Sequence, residues 1–295
     1  MSQKIKIMIL GGARENGKNM YAVQVEDEIF IMDAGLKYPD SSLLGIDVVI
    51  PDLDFFRDYG DKIAGIFLTH GHADSIGALP YILRDYDIPV FGSKLTIELA
   101  KIAVQRENRR RKNDLFHVID ADTEIEFKNA NVSFFKTTHS IPDSLGIDIS
   151  TKEGEIVYTG DFKFDPSAKE GFRTDFVRLS EIAQKGVLAL LSDSTNAEAN
   201  FPNDRQTSIE KYIFNIFENY EGRIIAAAKA SNIVRVQEIF QAAAATGRHV
   251  FLTGRDAGKI VYTAMKLGYL NVPKGLLVHS KDLKKIPDKE LVILE

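Results

Sequence analysis

The sequence predicts an α/β protein: layered sheets with helices packed outside them, followed by a smaller α/β unit built on strand–helix alternation. Three observations carry this. Short β-branched or alternating runs bounded by Gly, Asp and Asn recur through the first half of the chain, with few helical patterns between them. After about Pro202 the texture changes to strands and helices in strict alternation, the signature of a parallel sheet with crossover helices. Composition is that of a globular protein, 44% hydrophobic and 27% charged over 295 residues, enough chain for two units that each bury a core.

Taken in order, residues 5–10, 21–25, 29–32, 63–68, 125–127, 132–135, 148–150, 156–159 and 187–192 read as strands. Residues 88–91 form a shorter candidate, and Pro89 near its start argues against a central place in a sheet. Helices are expected over 76–85 and 94–108. In the second part, 208–219, 233–246 and 258–267 read as helices, 223–228 and 249–252 as strands, and 276–279 as a possible further strand. A boundary falls within 199–206, which divides the chain into units 1–205 and 206–295.

Several classes of function are disfavoured. No apolar run approaches the roughly 18 residues of a membrane span, and the N-terminal residues enter a strand with no secretory h-region, so a cytoplasmic protein with no membrane partner is expected. Cys is absent, so any transition metal must be held by His, Asp or Glu. The net charge of −5 argues against a strong non-specific nucleic-acid binder. The one basic run, Arg106 to Lys112, is either a phosphate path or a solvated helix end, the latter favoured by the helix dipole. Gly11-Gly12 reads as a turn after the first strand, and His117, His249 and His279 lack ligand spacing.

The chemistry concentrates in Leu68-Thr69-His70-Gly71-His72-Ala73-Asp74-Ser75-Ile76-Gly77. A hydrophobic strand ends at Thr69, and His70, His72 and Asp74 then alternate through a tight turn before a helix. A strand end fixes the backbone, so these three side chains can converge on one ion; imidazole nitrogens and carboxylate oxygens bind zinc at about 2.0–2.2 Å.

This segment resembles the HxHxDH signature of the metallo-β-lactamase superfamily, an αββα sandwich. Ile31-Met32-Asp33-Ala34-Gly35, Thr138-His139-Ser140 and Tyr158-Thr159-Gly160-Asp161 resemble its other motifs in order. Longer phrases narrow the resemblance to the RNase J family: Gly160-Asp161-Phe162-Lys163-Phe164-Asp165, Ser192-Asp193-Ser194-Thr195-Asn196-Ala197-Glu198, and, in the inserted β-CASP α/β domain, Ala230-Ser231-Asn232-Ile233-Val234-Arg235. That resemblance implies a zinc-dependent RNA phosphodiesterase with exonuclease and endonuclease activity, assembled as dimers or tetramers. It implies metal ligation by His70, His72, Asp74, His139 and Asp161, with Asp161 bridging two metals, and a supporting role for Asp33 behind a metal-binding His. Asp74 is the expected residue to orient or deprotonate water. Asp193 is either a partner of the site or a turn cap with Ser194 and Thr195; Ser231, Asn232 and Arg255 are candidates for RNA contact.

The chain departs from the family pattern at Ser75, where the signature's final His is expected, and a neutral hydroxyl is a poor substitute ligand. Gly254-Arg255 is followed by Asp256-Ala257, where active members carry Ser-Met, and a carboxylate there opposes phosphate. The resemblance also implies that the chain stops partway through the inserted domain, with a further metal-binding His beyond Glu295. One metal site and weak activity are therefore expected, in a degenerate paralogue that pairs with itself or with an active RNase J subunit. The rival expectation is an inactive structural subunit that binds no metal.

Overall fold

The computed structural model describes residues 2–107, 113–165, 168, 172–198 and 205–295. It divides into two compact units, Met1–His139 with Asp143–Thr195, and Ser140–Pro142 with Asn196–Glu295.

The first unit holds two sheets. One contains β1 (Ile5–Gly11), β2 (Met20–Val25), β3 (Glu28–Met32), β4 (Ile63–Phe67), β5 (Val90–Gly92) and β6 (Phe116–Val118), side by side in chain order. The strands β1 to β3 pair antiparallel, and β3 to β6 pair parallel. Crossovers carry α1 (Asp54–Tyr59), α2 (Ala73–Ile76), α3 (Leu79–Asp85) and α4 (Lys94–Glu107). The other sheet contains β7 (Glu124–Glu126), β8 (Asn131–Lys136), β9 (Leu145–Thr151), β10 (Gly154–Tyr158) and β11 (Val187–Leu191). Its pairs are antiparallel except β10–β11, which are parallel and joined through α5 (Phe176–Lys185).

Period-two alternation builds the sandwich. Val23, Phe30, Met32 and Phe67 from the first sheet meet Val132, Phe134, Ile147, Ile156 and Tyr158 from the second in one buried core. The intervening residues Phe135 and Val157 face the other way and pack with Ile182 of α5. Helix therefore lies outside sheet, as the αββα arrangement requires.

The differences from the sequence reading have local causes. The strand near Pro89 is interior, between β4 and β5's other neighbour β6, contrary to the expectation of a non-central place. Pro89 precedes the strand, and only its carbonyl is used, accepting from Ile66 N at 2.9 Å, so its missing N–H leaves no gap in the ladder. The helix expected over 76–85 is two short helices, because Ala78 N donates to Ala34 O at 2.7 Å instead of continuing the first. The strand β6 and the helices α1 and α5 were absent from the pattern reading; β6 has three residues and α5 buries only Ile182. In the basic run, Arg106 pairs with Glu107 at 2.7 Å, and 108–112 lie outside the described residues.

The second unit contains α6 (Arg205–Asn219), β12 (Ile224–Ala226), α7 (Ile233–Ala245), β13 (His249–Leu252), α8 (Ala257–Lys266) and β14 (Leu291–Leu294). Its sheet is parallel, in the order β12-β14-β13, so the unforeseen last strand is central. Residues 276–279 contribute only a bridge between Leu277 and Val250. Val236, Ile239, Phe240, Val250 and Val292 are fully or almost fully buried. Arg248, 5% exposed, donates to the carbonyls of Phe217, Tyr220 and Gly222, satisfying the C-terminal carbonyls after α6. Among the described residues no helix is long and apolar enough to cross a membrane.

Candidate metal centre

The site forms where strands of the two facing sheets end. Beyond β4, Leu68 N donates to Phe91 O at 2.8 Å, and Thr69 O accepts from Leu145 N at 2.9 Å, so the segment entering His70 is held by both sheets. The imidazoles of His70, His72 and His139 then gather with ring centroids 4.7–5.0 Å apart and planes close to perpendicular. One nitrogen from each lies within 4.8 Å of the others. A second group, His70, Asp74 and Asp161, meets the same test. His139 Nε2 is 3.2 Å from His72 Nδ1 and 3.9 Å from Asp161 Oδ2; His70 Nε2 is 3.5 Å from Asp74 Oδ1. The five residues that the sequence nominated as ligands thus converge.

Behind His70 runs a chain of hydrogen bonds. Asp33, fully buried and at a positive φ of 59°, accepts from Thr69 N at 2.8 Å, from Thr69 Oγ1 at 2.9–3.0 Å and from the Tyr158 hydroxyl at 2.9 Å. The Thr69 hydroxyl has one proton, which goes to Asp33, so it must accept from His70 Nδ1–H, 2.9 Å away. In the neutral imidazole this arrangement leaves the lone pair on Nε2, the nitrogen available to a metal ion, with Asp74 Oδ1 3.5 Å away. The route from Asp33 to the metal-site histidine therefore passes through Thr69, a residue that the sequence reading left without a role. A Thr directly before the first His of the signature was the available signal.

Two glycines permit the close approach. A Cβ on Gly35 would lie 1.6 Å from Asp74 O. One on Gly160, at φ +57°, would lie 2.7–2.9 Å from the Thr69 side chain.

Electrostatics divide the histidines. Burial, reinforced by His70 and His72, pushes His139 down to about 2, so it is a neutral donor of a lone pair. Burial also acts to lower His70, but Asp74, Asp161 and Asp33 outweigh it and hold His70 above its ordinary value. Burial pushes Asp33 up to about 7 despite His70 and its hydrogen bonds.

These residues fit a divalent transition metal. His70 Nε2 is buried and makes no hydrogen bond, and the donors are the nitrogen and oxygen atoms that zinc accepts. Ser75 does not add to them. It is fully buried, and its Oγ lies 3.3 Å from His70 Nδ1, on the far side of that ring.

The remaining candidates are placed as follows. Asp193 Oδ1 accepts from Thr195 N at 2.7 Å and its own N–H donates to Thr159 Oγ1 at 3.1 Å, a turn cap. It also lines a cleft of about 630 Å³ with Asp161, Tyr21 and Arg14. Ser231, Asn232 and Arg255 belong to the second unit. Asn232 caps α7, accepting from Arg235 N at 3.0 Å, and Arg255 is exposed.

Comparison with known proteins gives consistent results. The sequence model of the metallo-beta-lactamase superfamily matches residues 13–210, and that of the Ribonuclease J beta-CASP domain matches residues 221–295. A protein named Ribonuclease J 2 from Streptococcus pyogenes serotype M3 is 54% identical over 292 residues, covering 99% of this chain and 53% of that protein. Proteins of the same name from Staphylococcus epidermidis and Staphylococcus aureus are 44% identical, covering 99% of this chain and 52% of theirs. The chain spans about half the length of the curated relatives it matches. A crystal structure of a protein of unknown function from Enterococcus faecalis V583 shares the fold, with a TM-score of 0.66 and 16% identity, covering 100% of this chain and 77% of the other.

Proposed function

The chain belongs to the RNase J family of the metallo-β-lactamase superfamily, and we propose that it acts in hydrolysis of RNA phosphodiester bonds with one complete metal site and one deficient site. The observation that carries the reading is the contrast between His70, His72 and His139, gathered in one group with Asp161 Oδ2 3.9 Å from His139 Nε2, and Ser75, turned behind His70.

His70, His72, His139 and Asp161 would hold a zinc ion, which when bound would supply Lewis acidity toward a phosphoryl oxygen. The chain's own groups do the rest. The Asp33–Thr69 pair keeps the His70 lone pair directed inward. His139, neutral because it is buried, presents its ring without a competing proton. Asp74 stands beside His70 Nε2 and is the carboxylate suited to orient the attacking water and take its proton. Asp161 reaches the same space from the end of β10. Asp193, in the cleft that Asp161 also lines, supports the turn after β11.

The second metal would draw on Asp74 and Asp161 with no imidazole at position 75. A two-metal clamp on attacking and leaving oxygens is weakened when one ion is loosely held, and electrostatic elements of that kind are worth several kcal/mol at a transition state. Slow hydrolysis follows. We assign the chain a role as a subunit beside an active paralogue, or as a homodimer, with Ser231, Asn232 and Arg255 contributing to RNA contact. Its relatives' shared name, Ribonuclease J 2, is compatible with a second paralogue.

The test is metal content by mass spectrometry alongside RNA decay, for the homomer and for a co-purified complex with an active family member. About one zinc per chain, with slow decay by the homomer and faster decay by the complex, is expected. A homomer with two metals and full activity overturns the deficient-site reading. A chain with no metal makes it a structural subunit.

A further inference from the structure

Three phenylalanines lie immediately beyond the metal centre, and none is used by the chemistry above. Phe162 and Phe164 have ring centroids 5.2 Å apart, and Phe164 and Phe176 5.4 Å apart, with planes tilted by 59° and 39°. Phe164 and Phe176 are 60% and 58% exposed. Paired exposed rings forgo hydrophobic burial, and exposed apolar clusters of this kind mark interaction sites.

Their placement relative to the ligands is tightly constrained. Phe164 follows Asp161 by three residues. Lys163 N donates to Thr138 O at 2.9 Å, and Thr138 is the neighbour of His139. The Thr138 hydroxyl donates to Phe172 O at 2.8 Å and accepts from Thr174 N at 2.9 Å, while Asp175 N donates to Lys136 O at 3.0 Å. The segments bearing Phe164 and Phe176 are therefore both bonded to the strand end that presents His139. Charges of both signs accompany the rings: Lys163 pairs with Asp165 at 2.9 Å, and Asp175 accepts from Arg178 N at 2.9 Å. The Arg173 guanidinium, held by Ala168 O at 2.7 Å, adds positive charge.

We propose that Phe164 and Phe176 form a stacking platform for the bases of single-stranded RNA, registered to the metal centre through Thr138. Every base has a π face, so such a platform binds without reading sequence, and flanking cations follow the phosphates. The platform sets which stretch of strand lies over the site. This inference rests on the RNA-hydrolase reading and specifies how that site positions its substrate.

The experiment measures binding of a fluorescent single-stranded RNA of about ten nucleotides to the full chain in EDTA, so that no hydrolysis intervenes. A 2-aminopurine reporter follows stacking, and an abasic oligomer of the same length serves as comparator. Phe164→Ala and Phe176→Ala are each expected to weaken binding several-fold, and the double variant about tenfold or more, with loss of 2-aminopurine quenching. Phe164→Tyr and Phe176→Tyr should retain both, and the abasic oligomer should bind wild type and double variant equally. Circular dichroism checks the fold. Unchanged affinity in the double variant, equal loss for the abasic oligomer, or no binding by wild type overturns the platform. So does a changed oligomeric mass with unchanged RNA affinity, which would make the rings a protein interface. Metal content and hydrolysis of the wild type, measured separately, report on the underlying reading.

Discussion

The hydroxyl of Ser75 lies 3.3 Å from Nδ1 of His70, on the ring edge opposite the nitrogen that faces Asp74. Ser75 therefore backs an existing ligand and adds none. Ser75→His should supply an imidazole at this position, raise bound metal from about one to nearer two per chain, and accelerate RNA hydrolysis by tenfold or more, as ~1.4 kcal/mol at the transition state suffices. Metal analysis on the same sample as the rate decides it; a variant with wild-type metal content and rate contradicts the deficient-site account.

Removing a primary donor should act in the other direction. His72→Ala leaves the His70 and His139 rings without their third partner, so bound zinc should be lost while the far-ultraviolet circular dichroism is retained. Retention of zinc by that variant would mean that the ion sits elsewhere.

Thr69 transmits the orienting effect of Asp33. Thr69→Val keeps the volume but strips the hydroxyl between Asp33 and His70 Nδ1. Metal affinity should fall about 10- to 100-fold, and stability by roughly 1–3 kcal/mol, because buried groups lose their partner. Titration with a chelator, compared with thermal denaturation, separates these effects; undiminished affinity would leave Thr69 as packing only.

A second buried carboxylate predicts a dependence on pH. Burial, together with Glu155, pushes Asp148 up to about 7, while its ordinary value is 3.8. Ser133 Oγ donates to Asp148 at 3.2 Å, and Arg178 Nη2 donates to Ser133 Oγ at 3.2 Å. The folded state binds the proton more tightly than the unfolded state. This contribution to stability is therefore complete below about pH 4 and is lost as pH rises through about 7. Asp33, shifted in the same direction, adds to the trend. Asp148→Asn should flatten the curve between these limits and stabilise the protein at pH 8 by an amount on the order of 1 kcal/mol. Parallel denaturation curves for the two proteins at every pH would refute the assignment.

Much of the site was legible from spacing. His70, His72 and Asp74 alternate from a strand end, so local geometry brings His72 and Asp74 each into a group with His70, and motif order added His139 and Asp161. The Asp33–Thr69–His70 relay was not legible, because it joins residues 36 positions apart whose approach depends on β3 and β4 pairing in register. Asp193 was readable two ways: its side-chain Oδ1 accepts from Thr195 N as a turn cap does, and the residue also lines the cleft beside Asp161.

Period-two alternation and strand-end chemistry, both local properties, were sufficient to predict sheets with helices outside them and a metal-binding cluster. They were insufficient wherever a neighbour in space supplied the deciding partner. Pro89 sits beside an interior strand because Ile66 uses its carbonyl, and β14 is central because β12 and β13 flank it. Ser75 turns behind His70 instead of toward the ligands because a buried hydroxyl takes the hydrogen-bonding partner that the folded chain places within its reach.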